Sequence, residues 1–332
     1  MAGRRGQGRR AVCGRCPAVL LPCRYNTAMR HLTLPGTGEC LPVIGQGTWG
    51  LGVSPRTRAA EVEALRLGVS LGMTLIDTAA FYAAGGAEEV VGEAVRDSRD
   101  RVFLVTKVWP ADAGFRAAQA SVGDSLRRLG ADRLDAVLLH WPTRSVPLGE
   151  TLRAFADLQA RGVVRYFGVS NFDRMWLRAA EAALPAGARL AFNQVPYSLE
   201  NRRVERAVLP EAQRLGHLVM AYSPLGHGRL GRGRSGAALA QLAAARGVSP
   251  QQFALAFLAS RPGVLAIPKA LQPEHVRANA AAGDLDLTVE EVRSLEAAYP
   301  VSGGARLPLL PPYGAFFRLV LGAVRLRYGR GR

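Results

Sequence analysis

Between Gly45 and Ala281 the chain repeats one unit eight times: a short apolar run of strand length, then a longer stretch whose apolar residues recur at helical spacing. Strands are expected near Gly45–Trp49 and over Thr74–Asp77, Val102–Thr106, Leu134–Leu139, Val163–Val169, Leu190–Gln194, Leu218–Tyr222 and Val264–Ile267. The helices that follow them are expected over Arg58–Leu71, Ala87–Arg96, Phe115–Leu129, Leu148–Gln159, Asp173–Leu184, Val204–Leu215, the pair Ala237–Arg246 and Pro250–Ser260, and Pro273–Ala281. Eight β-then-α units in roughly 250 residues is the arithmetic of an α/β chain closed as a (β/α)8 TIM barrel. A β-hairpin, His31–Leu34 and Leu41–Ile44 about the Gly36-Thr37-Gly38 turn, precedes the units. An extra C-terminal helix over Val289–Ala298 follows them, with Thr288 as N-cap and Glu291 completing a capping box.

A doubly wound open sheet is the rival architecture, and Gly45-Gln46-Gly47-Thr48-Trp49-Gly50 fits its G-x-G-x-x-G fingerprint literally. That fingerprint needs its last glycine inside an immediately following helix, whereas Gly52, Ser54 and Pro55 delay the helix here. A second literal match, Gly226 to Gly231, fails the same test in the loop after the seventh strand. The barrel explains more, because polar groups stand at nearly every strand end: Asp77, Lys107, His140, Ser170-Asn171, Gln194, Tyr222-Ser223 and Lys269. Strand ends are where barrels keep their active sites.

Net charge is +17, which taken alone suggests nucleic acid or an anionic membrane as partner. Its distribution argues otherwise. Six arginines and no acid lie in residues 1–28, and six more with no acid lie in 306–332, leaving 31 basic against 26 acidic residues over 29–305. Residues 1–28 are expected to be a disordered extension, with Met29 the natural initiator, and 306–332 a basic tail, flanking a single barrel domain over 29–305. No apolar run reaches the roughly 20 residues of a membrane span, and Ala18–Leu21 is too short for a signal-peptide core. Cys13-Gly14-Arg15-Cys16 has half of a zinc spacing, but Cys23 and Cys40 add no second close pair, so no metal is expected. Of the 43 basic residues only Lys107 and Lys269 are lysine. Lysine is a compact point charge whose pKa shifts on burial, which marks both positions for roles that arginine does not fill.

Asp77 with Tyr82 five residues on, Lys107 within Val-Thr-Lys-Val-Trp and His140 within Leu-Leu-His-Trp-Pro resemble the catalytic tetrad of the aldo-keto reductases. Gly168-Val169-Ser170-Asn171-Phe172, Asn193 to Tyr197, Ala221 to Gly226 and Ile267-Pro268-Lys269 are similar to that family's cofactor motifs. The resemblance runs from about residue 31 to 300 and is nearest in flavour to bacterial monomeric members such as the diketogluconate and methylglyoxal reductases. It implies reduction of aldehydes and small ketones by hydride transfer, with Tyr82 as general acid, Lys107 lowering the pKa of that phenol, Asp77 holding the lysine and His140 orienting the carbonyl.

For the cofactor the resemblance implies NADPH. Thr48 and Trp49 lie at its site, Ser170, Asn171 and Gln194 bond the nicotinamide amide, Tyr222 stacks on the ring, Ser223 and Leu225 meet the pyrophosphate, and Lys269 meets the 2′-phosphate. Where many members carry Ser, Thr, Arg and Glu after that lysine, this chain has Ala270, Gln272, His275 and Ala278, with Asn279 keeping the adenine contact. NADH is therefore the alternative cofactor. Trp49, Phe81, Trp109 and Trp141 would wall the substrate pocket, and Trp176 reads as core packing. A cytoplasmic monomer acting on a small carbonyl compound is expected, without nucleic acid or membrane insertion. The alternative is a nucleotide-binding regulatory module on the same barrel with little turnover.

Overall fold

The computed structural model describes residues 29–226, 230–231, 233–304 and 307. The expectations for 1–28 and, Leu307 apart, for the tail from 306 lie outside these residues, as does the middle of the second glycine motif.

Ten strands and ten helices alternate in chain order among the described residues. They are β1 (His31–Thr33), β2 (Cys40–Pro42), β3 (Gln46–Gly47), α1 (Arg58–Ser70), β4 (Leu75–Asp77), α2 (Gly86–Val95), β5 (Phe103–Val108), α3 (Phe115–Leu129), β6 (Leu134–Leu139), α4 (Leu148–Ala160), β7 (Val164–Ser170), α5 (Arg174–Ala182), β8 (Phe192–Pro196), α6 (Val208–Leu215), β9 (Leu218–Tyr222), α7 (Gly233–Ala245), α8 (Pro250–Ala259), β10 (Val264–Ala266), α9 (Pro273–Ala281) and α10 (Val289–Ala298). Strands β3 to β10 form one parallel sheet in sequence order. Its edges meet: Ile44 bridges Ala266 in parallel, Gly45 N donates to Ala266 O at 2.8 Å and Ala266 N donates to Val43 O at 2.9 Å. The sheet is thus a closed (β/α)8 barrel.

The period of two along a strand sorts the side chains into two cores. Leu104, Val137, Leu139, Phe167, Val169, Val195 and Val219 face the helices, whereas Leu75, Val105, Ala136, Leu138, Phe192, Met220 and Leu265 fill the barrel interior. β1 and β2 pair antiparallel, with Leu32 opposite Leu41. Leu34 and Leu41 from this hairpin join the interior core from the end where the strands begin, so the hairpin is the barrel's floor. Glu39 fastens it, receiving Arg165 as an ion pair and the Tyr166 hydroxyl at 3.2 Å.

Several expected boundaries shift: α7 starts at Gly233 rather than Ala237, and two others have a visible cause. The sixth barrel strand runs Phe192–Pro196 rather than Leu190–Gln194, because its register against Gly168 and Leu218 is set by the neighbouring strands. The helix expected over Val204–Leu215 is divided: a 3-10 turn covers Arg203–Arg206, and α6 begins at Val208 after Ala207 leaves helical geometry.

Candidate active site

Each interior row ends, one strand-period beyond its last apolar residue, in a polar side chain: Leu75 is followed by Asp77, Val105 by Lys107, Leu138 by His140, Phe192 by Gln194 and Met220 by Tyr222. The ladder places Asp77 opposite Val105, Lys107 opposite Leu138, and Ser170 opposite Gln194. Parallel pairing therefore collects these groups at the mouth of the barrel, on top of its apolar filling.

Lys107 is at the centre, 1 % exposed. Its Nζ donates to Asp77 Oδ2 at 2.7 Å, to Thr78 O at 2.8 Å and to Tyr82 Oη at 3.2 Å. An ammonium has three protons and here three acceptors. The Tyr82 hydroxyl is consequently an acceptor towards Lys107, which leaves its own proton for another partner. Asp77 uses its second oxygen to accept from Gln194 Nε2 at 2.7 Å, and its main-chain carbonyl accepts from Thr48 Oγ1 at 2.9 Å. Burial pulls Lys107 below and Asp77 above their ordinary values; the partner's opposite charge pushes each back, and Glu88 adds to the support of Lys107.

Tyr82 stands on a 3-10 turn, Tyr82–Gly85, that the sequence patterns did not show. Ala83 and Ala84 both have left-handed backbone, φ 49° and 53°. Burial, and secondarily Asp77, push the Tyr82 phenol well above its ordinary value. The net direction is upward, so burial outweighs whatever lowering Lys107 supplies. The lysine is matched by a carboxylate at 2.7 Å, so the phenol meets a nearly neutral pair in a dry site. His140 is held well below its ordinary value by burial and by the charge on Lys107, so the imidazole is neutral at pH 7. Its buried Nδ1 has no partner among the described residues.

Aromatic rings surround the phenol. Trp49 meets Tyr82 edge-on at 4.9 Å, His140 meets it edge-on at 5.7 Å, and Trp109 lies edge-on to His140 at 5.2 Å and stacked on Phe81 at 4.3 Å. Trp49 is 59 % exposed, so it rims the mouth more than it lines it. Trp141 is partly exposed and is not among the rings that meet Tyr82 or His140 in the described residues. Trp176 packs against Phe172 at the edge of the outer core, as expected.

A second network adjoins the first. Asn171, in left-handed backbone at φ 65°, donates through Nδ2 to His140 O at 3.0 Å and Ser170 Oγ at 3.1 Å, and accepts from Tyr222 Oη at 2.8 Å. Ser170 Oγ donates to Gln194 O at 3.0 Å. Ser223 is also left-handed, φ 49°. Non-glycine residues in this region are strained and concentrate at functional sites. Beyond β10, Lys269 is exposed and has no ion pair among the described residues. α9 starts four residues later, with no side chain capping its first turn at Gln272. His275 is exposed on this turn, and Asn279, 6 % exposed, is one turn further along.

Residues 43–300 match the model of the aldo/keto reductase family. The chain belongs to the aldo/keto reductase family. It is 45% identical over 271 residues to the methylglyoxal reductase YeaE of Escherichia coli K12, a match covering 80% of this chain and 93% of that one. Two solved aldo/keto reductase structures from Klebsiella pneumoniae are also similar. One, in complex with NADP and acetate, has TM-score 0.78 at 44% identity over 86% of this chain and all of that one. The other, in complex with NADPH, has TM-score 0.77 at 45% identity over 83% of this chain and 97% of its own length. Within this aldo/keto reductase the sequence-predicted Asp77, Tyr82, Lys107 and His140 converge, and Ser170, Asn171, Gln194 and Tyr222 join them. Glu88 and Thr78 were not anticipated. Thr78 contributes a backbone carbonyl, which has no sequence signature.

No helix among the described residues is long and apolar enough to cross a membrane.

Proposed function

We propose that the chain is an NADPH-dependent reductase of aldehydes and small ketones, with Tyr82 as the proton donor. The observation that carries this reading is the saturated Lys107 ammonium. Because Nζ donates to Tyr82 Oη, the phenol's proton is directed away from the lysine and towards the mouth. With its pKa raised, Tyr82 stays protonated throughout the physiological range. It gives up that proton only as negative charge gathers on a carbonyl oxygen beside it, when Lys107 can stabilise the phenolate formed. Neutral His140 offers one ring N–H to the same oxygen and brings no competing charge. Asp77 keeps the lysine charged and oriented. The rings of Trp49, Phe81 and Trp109 restrict water and favour a small or planar carbonyl compound; methylglyoxal, named for the Escherichia coli relative, is of that size.

The donor set fits NADPH. Exposed Lys269, with no ion pair among the described residues and close to the uncapped first turn of α9, suits a 2′-phosphate. His275 and Asn279 follow on the same helix for the adenine end. Tyr222, its hydroxyl anchored on Asn171, would present a ring face to nicotinamide, with Ser170, Asn171 and Gln194 about the carboxamide and Ser223 and Leu225 towards the pyrophosphate. Thr48 would take part through its backbone or as an acceptor, since its hydroxyl proton is donated to the Asp77 carbonyl. When bound, NADPH supplies the hydride.

The test is loss of the NADPH absorbance band with methylglyoxal. Tyr82→Phe keeps the ring packing and removes the donor, and should lower kcat by about 10²–10⁴-fold while NADPH still binds. Equal rates for the two proteins would overturn the assignment.

A further inference from the structure

The turn that carries Tyr82 is an improbable one. Ala83, Ala84 and Gly85 are three consecutive left-handed residues, with φ 49°, 53° and 94°. Alanine disfavours this region, so the surroundings must impose it. Arg128, from α3, is one such imposition. Its side chain lies so close over Gly85 that a Cβ there would come within 2.4 Å of Arg128 Cδ and 2.5 Å of Nε. Arg128 is itself fixed, because Nε donates at 2.6 Å to Glu88 Oε2 and Nη2 donates at 3.4 Å to Ser125 Oγ. Glu88 is wholly buried, 0 % exposed, and its other oxygen accepts from Thr106 Oγ1 at 2.6 Å. Thr106 precedes Lys107 on β5. The chain of contacts therefore runs from the turn bearing Tyr82, through Arg128 and Glu88, to the strand bearing Lys107. Glu88 lends its charge to the support of Lys107, but the proton transfer described above gives half-buried Arg128 no part, and a salt bridge of this kind is weak evidence of a purely stabilising role.

We propose that Arg128, anchored on Glu88, is a positioning residue that holds the left-handed turn and so sets the separation of Tyr82 Oη from Lys107 Nζ. It touches neither substrate nor cofactor and acts through Tyr82. The inference rests on Tyr82 being the proton donor.

The experiment compares the full-length protein with Arg128→Met, Arg128→Lys, Glu88→Gln and the double variant Glu88→Gln/Arg128→Met, with Tyr82→Phe as reference. The double variant removes both charges while keeping side-chain volume, so it relieves the unpaired carboxylate that Arg128→Met leaves behind. Displacement of a reacting group by about 1 Å costs on the order of 10²-fold, so kcat with methylglyoxal should fall by about that factor in Arg128→Met, with the Kd of NADPH changed less than about twofold. The double variant should recover thermal stability but not kcat, and its log kcat against pH should stay displaced beyond that of Glu88→Gln alone, which removes the charge supporting Lys107 but leaves Arg128 over the turn. Arg128→Lys should restore part of kcat. A double variant that regains wild-type kcat and pH profile together with its melting temperature would reduce the pair to packing and overturn the proposal, as would wild-type kcat in Arg128→Met. A wild-type rate in Tyr82→Phe would instead remove the donor assignment. In that event the NMR signal of ring-labelled Tyr82 still decides the geometry: a shifted resonance in the double variant supports the clamp, and an unchanged one overturns it.

Discussion

Replacing Asp77 by Asn isolates the charge at the centre of the site. Lys107 Nζ would keep Thr78 O and Tyr82 Oη but lose the carboxylate at 2.7 Å. Removing one partner of a buried ion pair costs about 3–5 kcal/mol, because the other charge is left unmatched. The lysine can escape by giving up its proton, which sets a ceiling. Deprotonating a lysine of ordinary pKa at pH 7 costs about 4.6 kcal/mol, and about 1.4 kcal/mol less for each unit of pH above that. The sign follows from the proton count. Folded D77N with a neutral lysine binds one proton fewer than its unfolded chain, so its stability rises with pH until the unfolded lysine itself titrates. Wild-type Lys107 is also lowered by burial, but the carboxylate supports its charge, so its slope in the same direction should be weaker than that of D77N. Chemical denaturation should therefore show a deficit of about 3–4.6 kcal/mol for D77N at pH 7, narrowing to about 2 kcal/mol at pH 9. The pair D77N/K107M should regain most of the loss. A deficit below about 1 kcal/mol, or one that does not change with pH, would refute the reasoning that Lys107 is a buried ammonium held by Asp77.

Two further outcomes concern single residues. Folded His140 resists protonation while the unfolded residue titrates near about 6.5, so its contribution to stability is present above that pH and is lost as pH falls through it; between pH 7 and 5 the melting temperature of wild type should drop further than that of His140→Gln, and parallel curves would contradict a neutral buried imidazole. Lys269→Met should weaken NADPH binding by about 1.5–3 kcal/mol, the range for a hydrogen bond to a charged group, and leave NADH binding unchanged; equal losses for both cofactors, measured by fluorescence titration, would remove the 2′-phosphate role.

The regular parts of the fold were legible wherever local signals agreed with tertiary demand. α3, β6, β9, α9 and α10 begin and end as the patterns indicate, and the Thr288–Glu291 capping box forms with both of its hydrogen bonds. Asp77, Lys107 and His140 were legible because each terminates an inward row of a strand, and Tyr82, on the turn beyond β4, was legible only through the family resemblance. What escaped was whatever depends on elements meeting from a distance. The Tyr82–Gly85 turn uses alanines in left-handed geometry, against their preference, and only Arg128, some forty residues later in the chain, shows why. Glu88 reads as one acid on a helix face, and its complete burial follows from where α2 packs. The upward direction of the Tyr82 shift escapes the sequence for the same reason: the neighbourhood of Lys107 and Asp77 can be read there, but the depth of the pocket cannot.

The floor of the barrel has a consequence for how the chain comes to be folded. The hairpin β1–β2 is the earliest described piece to leave the ribosome, yet its fastenings lie far downstream: Glu39 holds Arg165, 126 residues away, and Leu34 and Leu41 pack in the cluster that holds Phe192 and Leu218. The hairpin has nothing to close until the seventh and eighth strands of the chain have been made. Contacts of such sequence separation are entropically late, and a terminal piece that waits for them leaves apolar surface uncovered in the meantime. Shortening the chain before β8 would therefore leave an N-terminal half whose floor cannot seat, and such a fragment should collect in aggregates rather than as a soluble half-barrel.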